Sequence, residues 1–535
     1  MSIFNEIKIN KPNSNTFNLS HDRKMSMNMG VLTPTLVMDV LPGDKIKLSS
    51  TQMLRFAPML APVMHRIDVY QHFFFVPNRL TWSNWEDFIT GGEDGTADPV
   101  FPTIKMTPTS TAIGSLPDYL GIPTLPPSTG PGTTGQTKVS ALPFAAYQMI
   151  YNEFFRDQNL ITKGVDTLND GGNSSPDLQV LHQRAWGHDY FTSALPWTQK
   201  GPEATIPLGT DAPINYQISQ EPSVLRGVGN DNLVNTSGVP TTGAGTLYSI
   251  NDETSGGIQA YGGTPGSELN VTVDNSKSLV ADLSTATSAS INDLRQAFRL
   301  QEWLEKNARG GSRYIEVIKS HFGVTSSDSR LQRPEYLGGG KSPVSISEVL
   351  QTSETGVASS DPTPQGNMAG HGINVGGGNN FSYYSQEHGY IIGLMSIMPK
   401  TAYYQGIPKH YKKFDKFDYY FPSFAHLGEQ PILNEEIFAD TSLSDTETFG
   451  YTPRYAEYKH MLSSVHGEFR DTLLFWHMAR KFDSLPALNE QFINADPTKR
   501  IFAVELQETE TIYAHVFHDL KATRLMPYFG TPKGV

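Results

Sequence analysis

Cysteine is absent from all 535 residues. That excludes disulfides, thiolate metal sites and cysteine nucleophiles, and it suits assembly in a reducing cytoplasm. Charge is also scarce, at 18% of residues, where globular chains carry about a quarter. No apolar run approaches the roughly 20 residues needed to cross a bilayer, since the most apolar stretch, Gly389 to Met398, is about half that. The opening MSIFNEIKINKPNSN has no apolar core flanked by positive charge, so no secretory signal is expected. A soluble protein with no membrane partner is the expectation.

Aromatics are plentiful, with 28 Phe and 23 Tyr. Gly (47) and Pro (36) are so frequent that about one residue in six disfavours regular structure. This profile suits many strands joined by long irregular connections and does not suit a helical bundle. The net charge of −13 argues against a dedicated nucleic-acid binder. The acid is concentrated: residues 201–290 hold nine acids against Arg226 and Lys277, and the remainder is nearly neutral with local basic clusters.

Residues 1–40 read as a polar N-terminal arm. Residues 41–199 read as the first part of a β body with a helical insertion. Pro42-Gly43-Asp44 signals a turn. Beyond it Ile46, Leu48, Leu54 and Phe56 share one strand face, and Lys45, Lys47, Ser49, Thr51 and Arg55 share the other. Arg66 to Val76 predicts a strand buried on both sides. After a loop over 91–139, Pro143 opens a helix with Phe144, Tyr147, Tyr151, Phe154 and Phe155 as its stripe. Residues 200–288 are rich in Gly, Ser, Thr, Asn and Pro and predict a surface insertion. Residues 289–535 supply two tandem helices, read as a buried crossover and ending at Gly310-Gly311 and Gly323, then a loop over 337–380 and the remaining strands. Strands are predicted at Tyr390–Met398, Tyr411–Phe421, Tyr451–Tyr458, Val465–Trp476 and Thr511–His518. One β domain with long insertions is the simplest account, and an eight-stranded antiparallel jelly roll accepts such insertions.

No motif nominates an active site. Gly338-Gly339-Gly340-Lys341-Ser342 lacks the upstream glycine of a phosphate loop and is followed by Pro343, so it reads as a Gly-rich loop. No HExxH and no GxSxG occurs. His515 and His518 lie three apart on a predicted strand, hence on opposite faces. No catalytic residue, metal ligand or cofactor is expected. Lys409, Lys412, Lys413 and Lys416 alternate with His410, Tyr411, Phe414 and Phe417, a composition used on single-stranded nucleic acid. The competing reading is a half-exposed strand with a charged face. Lys521 and Arg524 invite the same suggestion of DNA contact.

Several stretches resemble the major capsid proteins of microviruses, especially the gokushovirus branch. The longest is Leu294 to Gly340, LRQAFRLQEWLEKNARGGSRYIEVIKSHFGVTSSDSRLQRPEYLGGG. Others are Arg55-Phe56-Ala57-Pro58-Met59-Leu60, Glu387-His388-Gly389-Tyr390, His426-Leu427-Gly428-Glu429-Gln430, and Arg454-Tyr455-Ala456-Glu457-Tyr458. The resemblance implies a viral-coat jelly roll that self-assembles with identical subunits in the bacterial cytoplasm into a T=1 icosahedral virion around circular single-stranded DNA. Partners implied by it are a small basic DNA-binding protein, a pilot protein, an internal scaffolding protein and a bacterial surface receptor. It also implies a three-fold protrusion, for which 200–288 is the candidate, with Asp231, Asp252, Glu253 and Tyr261 as receptor-facing candidates. The other class left open is a jelly-roll carbohydrate-binding protein or glycosidase.

Overall fold

A computed structural model describes residues 13–126, 136–202, 204, 214–215, 249–251, 259–261, 280–281, 291–311, 313–352, 366–440, 446–504 and 509–529. The chain divides into two compact units, Met1–Lys200 with Glu305–Val535, and Gly201–Leu304. The first unit begins with strands β1 (Asn15–Asn18), β2 (His21–Met27), β3 (Thr33–Val40), β4 (Lys45–Phe56) and β5 (Ile67–Pro77), then a small pair, β6 (Thr103–Met106) and β7 (Thr137–Ser140). In the second unit lie β8 (Ile214–Asn215), β9 (Ser249–Asn251), β10 (Gln259–Tyr261) and β11 (Val280–Ala281), with β8 paired to β11 and β9 to β10. The first unit resumes with β12 (Glu335–Pro343), β13 (Ser345–Leu350), β14 (Met368–Tyr384), β15 (Gly389–Pro399), β16 (Glu429–Leu433), β17 (Thr448–Pro453) and β18 (Ile512–Arg524).

Two antiparallel sheets organise this unit. One runs β1-β18-β4-β14-β13, with β2 also on β18, and the other runs β12-β5-β15-β3. Alternation builds the first sheet. Along β4 every second residue from Ile46 to Phe56 is buried, and Lys45, Lys47, Ser49, Thr51 and Arg55 face out. Between the sheets Ile46, Leu48, Phe381 and Leu520 pack against Leu36, Phe73, Phe75 and Ile391. Each such burial contributes about 1.5–3 kcal/mol. Polar residues cross the same interior: Gln71 accepts from Asn379 at 2.9 Å and donates to Ser50 at 3.1 Å. A one-residue slip would leave these groups unpaired, so the seam helps fix register.

The opposite face of the second sheet is buried as well. Phe74, Val76, Ile392 and Leu394 meet Trp82 and the helix Leu142–Ile150 through Phe144, Ala145 and Tyr147. The strand predicted as doubly buried, and the apolar run after Gly389, are thus the two central strands, β5 and β15. The Tyr147 hydroxyl donates to the Leu32 carbonyl at 2.9 Å and anchors that helix to the chain entering β3. Gly43, at φ +90°, makes the predicted turn between β3 and β4, a conformation an L side chain resists.

The structure corrects several expectations. Residues 13–40 are three strands, and β3 lies at a sheet edge, where Pro34 is tolerated. The stretch expected as a loop over 337–380 is mostly β12, β13 and β14. Gly338-Gly339-Gly340 lies inside β12, and a Cβ on Gly339 would meet the Gln71 carbonyl of β5. The glycines there permit close strand approach. Tyr411–Phe421 and Val465–Trp476, expected as strands, contain 3₁₀ turns instead, and Tyr451–Tyr458 is a strand only to Pro453. The helix Tyr314–Phe322 stops at Gly323 as predicted but is not buried, with Tyr314 and Phe322 exposed.

Candidate nucleic-acid interface

Two aspartates fold the lysine–aromatic segment into turns. Asp415 accepts from the Lys416 amide at 2.6 Å, and Asp418 accepts from the Phe414 and Asp415 amides, each at 2.9 Å. Short side chains that satisfy nearby amides compete with strand pairing. The turns Lys409–Tyr411, Lys416–Asp418 and Pro422–Phe424 follow.

In these turns three of the lysines point inward. Lys409 Nζ lies 3.1 Å from Glu436, Lys412 Nζ 2.8 Å from Glu435, and Lys413 Nζ 3.0 Å from Glu457. Glu435 and Glu436 belong to the buried helix Asn434–Ile437. Burial pushes the Glu436 carboxyl above its ordinary range, while Lys409, the Leu433 amide and the Tyr190 hydroxyl oppose that shift. Lys413 also sits 3.6 Å above the Tyr458 ring. Burial works against its ammonium, but bonding to Tyr458 and Glu457 outweighs this and raises its pKa. Lys416 alone of the four is exposed, with Nζ 5.2 Å from the Phe417 ring. Three charges offered as phosphate contacts are therefore engaged by carboxylates of the same chain.

The two C-terminal candidates differ from each other. Arg524 is 3.1 Å from the buried Asp44 and donates to the Asp39 carbonyl at 2.9 Å, clamping the β3–β4 turn. Lys521 faces out from β18 directly opposite Lys47 of β4, with Asp519 at 3.9 Å. Nothing local in the sequence marks Lys47, because only long-range register places it beside Lys521. Tyr261 lies in β10 opposite Ser249, while Asp231, Asp252 and Glu253 fall outside the described residues.

His515 meets Asp22 at 3.0 Å on the outer face of β18. His518 is fully buried on the inner face, as their spacing predicts. Among the described residues no group of three or more His, Asp or Glu is placed to hold a metal. No described helix is long and apolar enough to cross a membrane.

Two packed antiparallel sheets with long excursions, candidate lysines paired internally and large aromatic side chains left exposed suit a structural protein that meets other protein surfaces. Comparison with known proteins gives the family. The chain matches the family described as "Capsid protein (F protein)" over residues 5–533. It is similar to capsid protein VP1 of Bdellovibrio phage phiMH2K, 39% identical over 96% of this chain and 94% of that one. It is also similar to capsid protein VP1 of Chlamydia phage 1, at 34% identity over 99% and 97%, and of Spiroplasma virus 4, at 32% over the same shares. The chain belongs to the microvirus F/VP1 capsid protein family. It is a structural component of a bacteriophage virion and not an enzyme, which removes the glycosidase alternative.

Proposed function

We propose that this chain is the subunit of a T=1 icosahedral shell enclosing circular single-stranded DNA, with its eight principal strands wound as a jelly roll. The full-length family match carries the reading. The strand order supports it. Taking β2, β3, β4, β5, β12, β14, β15 and β18 as one to eight, the sheets run 1-8-3-6 and 2-7-4-5. The pairs 1·8, 2·7, 3·6 and 4·5 are the rungs of one long hairpin. Rolling that hairpin up brings eight beside three and seven beside four, the double Greek key of a jelly roll. Electron microscopy of particles carrying the chain should show one uniform size, and a reconstruction should place one copy in each icosahedral asymmetric unit. A virion with a different lattice number would overturn the T=1 assignment.

Host attachment through 200–288 is part of the same proposal, motivated by nine acids against two bases in residues 201–290. A phage lacking those residues should assemble but adsorb poorly, and unchanged adsorption would remove the attachment role. For the genome we propose contact through Lys521, with Lys47 and Lys45 on the outward face of the first sheet. The basic DNA-binding, pilot and scaffolding proteins remain proposed partners.

A further inference from the structure

The lysine–aromatic segment has an orientation opposite to the one its composition suggests. Three of its four lysines point into the protein and its rings point out. Phe414 is 84% exposed and Tyr411 68%, while Tyr420 and Phe421 are about half exposed. The rings continue across the chain. Lys413 touches both Tyr419 and Tyr458, Tyr420 packs on Tyr455 at 5.3 Å, and Met461, three residues past Tyr458, is 97% exposed. Large exposed apolar side chains gathered on two adjoining segments mark interaction surfaces, which singly scattered ones do not.

We propose that this platform is a contact surface for a second copy of the same chain. The proposal rests on the shell reading above and adds where the copies touch. Charge decides between the candidate occupants. Lys409, Lys412 and Lys413 are matched by Glu436, Glu435 and Glu457, and Lys416 lies beside Asp415 and Asp418. The surface therefore offers a polyanion little net attraction, and DNA is not its natural partner. Tyr, Phe and Met are the residues enriched where proteins meet proteins. The platform is also pinned beforehand. The Tyr455 hydroxyl and the Arg454 guanidinium both donate to the Phe417 carbonyl, at 3.0 and 2.9 Å. Ordering before contact lowers the entropic cost of association. A shell of identical subunits supplies the partner in abundance, so the economical occupant is another copy.

The test uses the full chain expressed with the remaining genes of its phage. Phe414→Asp and Met461→Asp, made singly, should each lower the yield of particles by about tenfold or more, the effect of losing one strong interface residue. The melting temperature of the unassembled subunit should not move, because both side chains lie on the surface. Lys416→Glu serves as the control and should leave assembly intact. A photo-crosslinking residue at position 414 should give an adduct of twice the subunit mass in assembled particles. Normal assembly of both aspartate variants, or crosslinks to DNA or to a different virion protein, would overturn the platform and leave the shell reading standing. Failure of the unsubstituted chain to form particles under the same conditions would instead sink the shell reading.

Discussion

His518 has no exposed surface and hydrogen-bonds the Thr35 carbonyl through Nε2 at 3.0 Å. Its Nδ1 is buried without a partner in the described structure. Burial pushes its pKa down from 6.5 to about 4, the Thr35 carbonyl opposes that, and His21 and Arg23 add to the fall. The folded protein therefore holds this ring neutral. Above pH 6.5 neither state is protonated and the full stability is present. As pH falls from 6.5 toward 4 the unfolded chain takes up a proton that the folded chain refuses. Stability then declines, by at most about 1.4 kcal/mol per pH unit for this residue. His72 and His182, also pushed to about 4 mainly by burial, act in the same window. Calorimetry at about pH 7.5 and about pH 5 should show a smaller loss of melting temperature in His518→Gln than in the parent. An identical loss would mean that the ring is protonated at no cost. The opposite faces of His515 and His518 were legible from their spacing. The partners of Lys409, Lys412 and Lys413 were not, because Glu435, Glu436 and Glu457 lie far along the chain and nothing local marks them.

At the scale of elements, the legible strands are those whose two faces differ or whose apolar run is long. β4, β5, β15 and β18 satisfy one condition or the other. The stretch 411–421 interleaves charged and aromatic residues, yet Asp415 and Asp418 capture its amides and turn it. β12 and β14 were missed because glycine makes up their close-packed positions, and glycine carries no face. β2 was missed because its residues are mostly polar, and only Met27 reaches full burial. Its place is nonetheless structural. It pairs with β18 from Ile512 to His518 and sets Met27 among Leu54, Ile512 and Ala514. Deleting residues 1–28 should therefore open an edge of the first sheet and empty the Met27 position, a side-chain loss of about 2–5 kcal/mol by itself. The truncated chain should sediment as aggregate, or melt well below the parent by calorimetry. A soluble truncated chain with the parental melting temperature would show that β2 is an ornament.

At the scale of the whole molecule, family resemblance located the capsid class, while the winding of the strands needed registers that no single sequence reveals. Register also exposes a feature that folding alone does not explain. Lys47 and Lys521 stand directly opposite on β4 and β18, and Lys45 follows two residues along the same face. Like charges in that arrangement destabilise a sheet, and Asp519, at 3.9 Å from Lys521, offsets only part of it. An external polyanion would relieve the repulsion, which is the reason for placing genome contact here. Replacing both residues, Lys47→Glu with Lys521→Glu, keeps a like-charged pair across the strands and adds only the loss of the exposed Lys521–Asp519 contact, a small cost to the fold. It reverses the sign presented to phosphate. Shells should still form, with a lower ratio of absorbance at 260 to 280 nm in purified particles. The single change Lys47→Glu, which creates an opposite-charge pair with Lys521 and leaves the Lys521–Asp519 contact in place, should stabilise the subunit while also reducing packaged DNA. Parental DNA content in the double variant would move the genome contact to another surface.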